Sequence, residues 1–393
     1  MGWNFAFHIA TYHDVHVLVE KDEFETSIRD FTSRYPDKVK NLTFHFIRRK
    51  HHNLLRKIWP PSYYWFYRLW LRHVYEYAQA LHQKEKFDVV HQITLAGFRE
   101  PGYLWKLPIP FIWGPIGGFT QTPWCLIPGC GLYGWVYFSA RNILNTFQKK
   151  YGYAGSTVAH KAHSILVSDN QGLSDVRKFW GRDAIHMLEI GTRPSSTGTT
   201  IPQRQPHDAF RICWAGQLIP LKALELLLHA LHKCQDINVE LDVIGDGSCK
   251  NKWQKLANKL NIADRVHFHG LVTRDEVQTF MRNSHLFCHT SIKEGGTGTV
   301  ILEALQNALP VLILNHGGAA LVIDDTCGIK IPITTRRQIS TDIAKSIKSL
   351  AADDTKRIML ARGALKRALQ FSWEKKMVQL NQIYQAATPL PPS

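Results

Sequence analysis

Short runs of buried-type residues punctuate this chain at intervals that suit strands alternating with helices. In the first half, His16–Val19, the alternating stretch Leu42–Ile47, Val89–Val90, Phe111–Trp113 and Ser164–Val167 predict strands. The opening Met1–Ala10 reads as a helix, and Arg48–Phe87 as a helical region. In the second half, Arg211–Trp214, Glu240–Ile244, Val266–His269, Leu286–Cys288 and Val311–Leu314 predict further strands. Between the halves, Gly191–Pro202 is dense in Gly, Pro, Ser and Thr and is the expected linker. Helices over Ser340–Ala368 and from Trp373 onward close the chain, and the tail Thr388–Ser393 is expected to be disordered.

The run Cys288–Gly318 carries the most chemistry. An apolar strand end leads into Lys293-Glu-Gly-Gly-Thr-Gly298, then a helix opening at Thr299-Val300, then Asn307-Ala-Leu-Pro310 and a second strand. That is one βαβ unit, and glycines ahead of a helix let backbone N–H groups close on an anion. Glu294 and Glu303 flank the turn and suit hydroxyl groups of a sugar or ribose.

Composition narrows the class. A chain of 393 residues suits two α/β domains. No apolar run approaches the roughly 18 residues of a membrane span, and no secretory leader follows Met1. Seven cysteines without CxxC pairing point to a reducing compartment, the cytoplasm, rather than to disulfides or a zinc site. With 48 basic against 32 acidic residues the net charge is +16, which favours anionic partners. No nucleic-acid-binding signature is present, so nucleotide phosphates and anionic membranes lead.

Five stretches, taken in order, resemble one family: FDVVHQIT (87–94), PIPFIWGPIGG (108–118), CWAGQLIPLKALELLLHAL (213–231), the run from Cys288, and FSWEKKMVQLNQIY (371–384). They are similar to the retaining GT-B glycosyltransferases of family 4, bacterial surface-polysaccharide type. The resemblance implies two Rossmann-like domains facing each other across a cleft. Residues 1–190 would bind the acceptor, 191–210 link, 211–370 bind the nucleotide sugar, and 371–387 cross back to the first domain.

The resemblance assigns roles residue by residue. Lys222 matches the lysine on the donor diphosphate, with Gly216 in the same turn; an arginine is common where this chain has Gln217. Gly298, Thr299 and Val300 present N–H groups to the diphosphate, Glu303 matches the glutamate on the ribose, and Gly270 a turn near the nucleotide. Glu294 is expected on the donor sugar, although the family's acidic pair is usually eight positions apart and Glu294 and Glu303 are nine. Either the loop bulges by one residue or Gly295 takes the usual position. Plain alternatives remain: a solvated lysine at 222 and an exposed helix carboxylate at 303. Many relatives end the strand at Phe111–Trp113 with a histidine, but Gly114-Pro115 stands here. His91 is the nearest candidate, either structural or in contact with acceptor or sugar. No cofactor or metal is implied; the co-substrate is a UDP- or GDP-linked sugar, and the acceptor a lipid-linked or cell-surface glycan.

Two features complicate this picture. Relatives carry a strand and a glycine-containing loop before the segment matching Gly2-Trp-Asn, and a doubly wound domain normally opens with them. The natural reading frame is therefore expected to begin upstream of Met1; an in-frame stop just before Met1 would count against that. Secondly, residues 48–72 and the rest of the region to Lys86 mix aromatics with nine Lys/Arg against two acidic residues, Glu76 and Glu85. This predicts a peripheral contact with the inner face of the membrane, extended by Trp124–Phe147, unless the aromatics simply pack inside. A catalytically impaired GT-B scaffold and a nucleotide-sugar epimerase are the alternative functions.

Overall fold

The computed structural model describes residues 2–49, 58–59, 62–93, 97–192, 201–205, 208–294 and 296–388. Lys50, Arg56 and Lys57 of the basic stretch, Gly295, most of the expected linker and the tail beyond Thr388 lie outside them.

The first half holds β1 (Val15–Glu20), β2 (Leu42–Ile47), β3 (Val90–Gln92), β4 (Phe111–Ile116), β5 (Ser164–Val167) and β6 (Ile185–His186). They form two parallel ladders, β1–β2 and β3–β4–β5–β6. No pairing joins β1 to β3 among the described residues. Helices α1 (Gly2–Ile9), α2 (Lys21–Arg34), α3 (Ser62–Glu85), α4 (Gly131–Tyr151), α5 (Tyr153–Lys161) and α6 (Asn170–Trp180) surround them. Every residue of β4 is buried, as expected of a parallel strand covered on both faces.

The second half is one sheet of β7 (Phe210–Ala215), β8 (Val239–Ile244), β9 (Val266–Gly270), β10 (Leu286–His289), β11 (Val311–Leu314) and β12 (Gly328–Ile331). Its order is β12-β11-β10-β7-β8-β9, all parallel. Around it lie α7 (Leu224–His232), α8 (Lys250–Lys259), α9 (Arg274–Arg282), α10 (Thr299–Gln306), α11 (Ala319–Val322), α12 (Arg336–Ala352) and α13 (Asp354–Gln370). Alternate residues of one strand feed different cores: Ile212 and Trp214 pack with α7 and α12, whereas Cys213 and Ala215 pack with α10. This explains the unbroken apolar runs, since both faces of these strands are covered. The winding reverses between β7 and β10, and an open α/β sheet places its ligand crevice at the carboxyl ends of such a pair.

Helix α14 (Trp373–Ala387) returns to the first half. Its Trp373, Met377, Leu380 and Tyr384 pack with Phe5 and Ile9 of α1 and with Ile112, Leu166 and Met187. Lys376 Nζ donates to Leu188 O at 2.6 Å and to Ile190 O at 2.5 Å, and burial pushes its pKa down to about 7. The Tyr384 hydroxyl meets His91 Nδ1 at 2.7 Å. Tyr384→Phe leaves that buried nitrogen without its partner and is expected to lower the unfolding free energy by about 1–2 kcal/mol in urea. An unchanged midpoint would mean the contact carries no net stability.

The halves also touch across the cleft. His316 Nε2 lies 2.8 Å from Gln121 O, and Leu126 of the 3-10 segment Trp124–Cys130 is buried in the second core.

Candidate active site

Two loops meet at the reversal point because their backbones are stitched together. After β7 the chain turns through Gly216–Pro220 into the 3-10 turn Pro220–Lys222 and α7. After β10 it runs through Thr290–Thr297 to α10. Thr290 Oγ1 donates to Lys222 O at 2.7 Å and accepts from Trp214 Nε1 at 3.0 Å. Ile292 N donates to Leu221 O at 2.9 Å. Fixing these backbones brings the Lys222 ammonium onto the Glu294 carboxylate as an ion pair, both side chains mostly buried.

His289, the last residue of β10, completes the group. Its Nε2 stands 3.1 Å from Glu294 Oε1, a close approach without hydrogen-bond alignment. Burial alone would raise the Glu294 pKa; His289 and Lys222 outweigh it and hold the acid at about 2, so it is a carboxylate at any working pH. Gly298, at φ 85°, caps α10 in a conformation suited to glycine, and a Cβ there would sit 3.7 Å from His289. The α10 N-terminus therefore opens beside His289 and Glu294. Helix starts of this kind carry unpaired N–H groups and partial positive charge.

Other predicted residues fall at varying distances from this centre. Gly216 lies against Lys222: a Cβ on it would approach Lys222 Cδ to 3.9 Å. Gln217 is exposed in the same turn. Glu303, in the second turn of α10, meets Arg274 Nη2 at 3.2 Å; Arg274 is exposed, so the pair holds Glu303 only weakly. Gly270, at φ 74°, ends β9 beside the Lys250–Asp246 ion pair and accepts from Gly245 N at 2.8 Å. Gly245 is required by space, since a Cβ would stand 2.0 Å from Gly216 O.

His91 does not join the group. Nδ1 is bonded to Tyr384, Nε2 lies 2.7 Å from Gly114 O, and burial pushes its pKa down to about 4. Nδ1 thus supports the crossing helix and Nε2 holds β4 at Gly114, so both ring nitrogens are engaged within the fold. His289 and Arg274 were the residues missed. A histidine ending a strand just ahead of the Gly-rich loop was a signal for the first; nothing local marked the second.

Comparison with known proteins adds the following. Residues 200–367 match the family model for glycosyl transferases group 1. A D-inositol 3-phosphate glycosyltransferase of Streptomyces bingchenggensis is 29% identical over 194 residues, 46% of this chain and 42% of that protein. One from Xylanimonas cellulosilytica is 26% identical over 259 residues, 60% of each. The chain thus spans about half the length of the curated relatives it matches. Among solved structures, Anabaena HepE in complex with UDP superposes with TM-score 0.63 at 17% identity, over 98% of this chain and 95% of that one. A Rickettsia africae glycosyltransferase gives TM-score 0.65 at 13% identity over 99% and 96%. At such identities the likeness concerns the fold, which is GT-B: two Rossmann-like domains.

Proposed function

We propose that this chain is a retaining hexosyltransferase that moves a sugar from a nucleoside diphosphate to a lipid-linked or cell-surface polysaccharide acceptor at the cytoplasmic face of a membrane. The observation that carries this reading is the Lys222–Glu294–His289 group beside the α10 N-terminus, at the sheet's reversal point. Lys222 and the N–H groups of Thr299 and Val300 would neutralise the diphosphate as it leaves, with no metal called for. Glu303, in a setting that Arg274 constrains little, suits the ribose hydroxyls. Glu294 suits the donor sugar. HepE was crystallised with UDP, which supports a nucleotide-sugar donor, UDP- or GDP-linked.

A front-face course fits this group, because it asks for no base other than the departing phosphate. The bond from the anomeric carbon to the diphosphate oxygen breaks, the acceptor hydroxyl adds on the same face, and the departing phosphate oxygen takes its proton. NMR of the product tests this, and an inverted anomeric centre would refute it.

The donor site is tested by calorimetric titration with UDP and GDP. Glu303→Ala is expected to weaken the nucleotide that binds by roughly tenfold or more, as loss of a buried hydrogen-bond pair implies. Absence of binding by folded protein would overturn the reading. A second reading, a binding protein without turnover, is favoured by one observation: Glu294 already neutralises Lys222, and Gln217 brings no second charge. Nucleotide binding without sugar transfer would support it.

Membrane contact rests on α4. Apart from Gly134 its buried positions are polar, Asn142, Asn145 and Lys149, whereas Leu132, Tyr133, Trp135, Val136, Ile143, Leu144, Phe147 and Tyr151 are exposed. The region 48–72 contributes less, because its residues divide. Tyr67 and Trp70 are buried, Tyr64, Trp65 and Leu69 face out, and Arg48, Arg49, Arg68 and Arg72 all form ion pairs.

A further inference from the structure

Three cations lie within electrostatic reach of one another where the donor loop meets the first domain, and among the described residues none of them is paired with a carboxylate. Lys293 immediately precedes Glu294. Arg99 follows β3, with its guanidinium donating to Gln148 Oε1 at 2.5 Å and to Asn145 of α4, and lying 4.4 Å over the Phe98 ring. It also lies against exposed Gly118, where a Cβ would come within 3.1 Å of Nη1. Arg141, on α4, donates to the Tyr137 hydroxyl at 2.8 Å. Burial and the charges of Arg141 and Arg99 push Lys293 down to about 8, and burial and Arg141 likewise lower Arg99. Among the described residues no carboxylate pairs with any of the three. The neighbouring Glu100 is bound through both oxygens to Arg68, each at 2.7 Å. The residues outside the described set include no Asp or Glu.

Lys293 and Arg99 are half-buried and Arg141 is exposed; like charges brought near one another repel, and a bound anion removes the penalty. Two arginine forks and an ammonium match the oxygens of a phosphate better than a single carboxylate. We propose that Arg99, Arg141 and Lys293 form a second anion site, which takes a phosphate or diphosphate carried by the acceptor. This rests on the transferase reading above: the donor's diphosphate has Lys222 and the α10 N-terminus, whereas Lys293 in that loop feels the charges of Arg99 and Arg141 of the first domain. The acceptor's anion then sits one residue from Glu294. The phosphate has two sources, a water-soluble acceptor or a lipid-linked one. The apolar outer face of α4, the helix that carries Arg141, offers the second a path.

The experiment titrates inorganic diphosphate and a short-chain alkyl diphosphate into protein saturated with UDP or GDP, whichever binds. Arg141→Gln and Lys293→Gln are each expected to weaken both anions about tenfold while nucleotide affinity stays within about twofold. A tenfold preference for the alkyl compound would assign the site to lipid-linked acceptors, and equal binding to water-soluble ones. The proposal is overturned by unchanged anion affinity in both variants or by no saturable anion binding to the folded wild type. Nucleotide affinity falling in step would also overturn it, since these side chains would then serve the donor. If neither nucleotide binds, the transferase reading fails alone; the same titrations on nucleotide-free protein still have to be weakened by both substitutions.

Discussion

Glu294→Gln is expected to lower the turnover of sugar transfer by roughly 10²–10³-fold, the usual effect of removing one electrostatic group from a reacting centre. The side chain keeps its shape and loses its charge. That charge is secure in the folded protein. Burial opposes it, but His289 and Lys222 hold the acid at about 2, against an ordinary carboxylate value near 4.5. The proposed reaction builds positive charge on the anomeric carbon, and a fixed carboxylate beside it lowers the barrier. Because the folded pKa is depressed, Glu294 adds stability that is fully present above the unfolded value and lost as pH falls toward about 2. Its ionisation therefore puts no acid limb on the activity profile between pH 5 and 9. A purely structural ion pair would behave differently: Glu294→Gln would lower the thermal midpoint and leave turnover per folded molecule within about threefold, and that result would sink the assignment. Nucleotide affinity separates the effects further, since Lys222, freed from Glu294, remains available to the diphosphate.

The second domain was easier to read from sequence than the first, and the reason is physical. Strands buried on both faces show as continuous apolar runs, and β10, β11 and the Ile212–Ala215 part of β7 announced themselves that way. A Gly-rich turn between such a strand and a helix places a site without knowledge of tertiary structure. The strands of the first domain are thinner signals. β3 is three residues long, β6 two, and the ladder is split between β1 and β3. Helix Lys21–Arg34 passed unnoticed because it buries only Ile28 and so shows little apolar periodicity. Partners across loops were invisible altogether. That Glu294 meets both Lys222 and His289 depends on Thr290 and Ile292 bonding to the neighbouring loop, a contact between residues about 70 positions apart. Arg274 and Glu303 are separated by 29 positions. His91 is a further case of a distant partner. Its place at a strand end suggested chemistry, but its partner Tyr384 lies 293 residues away, and only the folded chain shows that both nitrogens are already engaged.

Leu144→Glu together with Phe147→Glu is expected to reduce binding to phosphatidylglycerol vesicles by roughly a hundredfold or more, measured by co-sedimentation. Each side chain would bury enough apolar surface in the lipid to contribute about 1.5–3 kcal/mol, and each new carboxylate would meet an anionic surface worth about 1 kcal/mol per charge in repulsion. The inverted arrangement of α4 is what makes the substitutions safe for the fold. The helix is held from its polar side: Asn142 accepts from Thr122 N at 3.1 Å and donates to Thr122 O at 2.7 Å. Asn145 donates to Phe119 O at 3.1 Å, and Lys149 pairs with Asp175 at 2.5 Å. Leu144 and Phe147 point away from all of these and are more than half exposed, so the thermal midpoint should move little. A helix that spends its polar face on internal hydrogen bonds and turns leucine, isoleucine and phenylalanine outward is unfavourable in water, and it needs an apolar neighbour. Vesicle binding unchanged in the double variant would reject the membrane as that neighbour. Loss of self-association in the same variant would then identify a second copy of the chain. With the membrane as partner, Arg141, exposed on the same helix, would be available to lipid phosphates, and it lies within electrostatic reach of Lys293 beside Glu294. Recognition of an anionic acceptor and docking on the surface that supplies it would then follow from one helix.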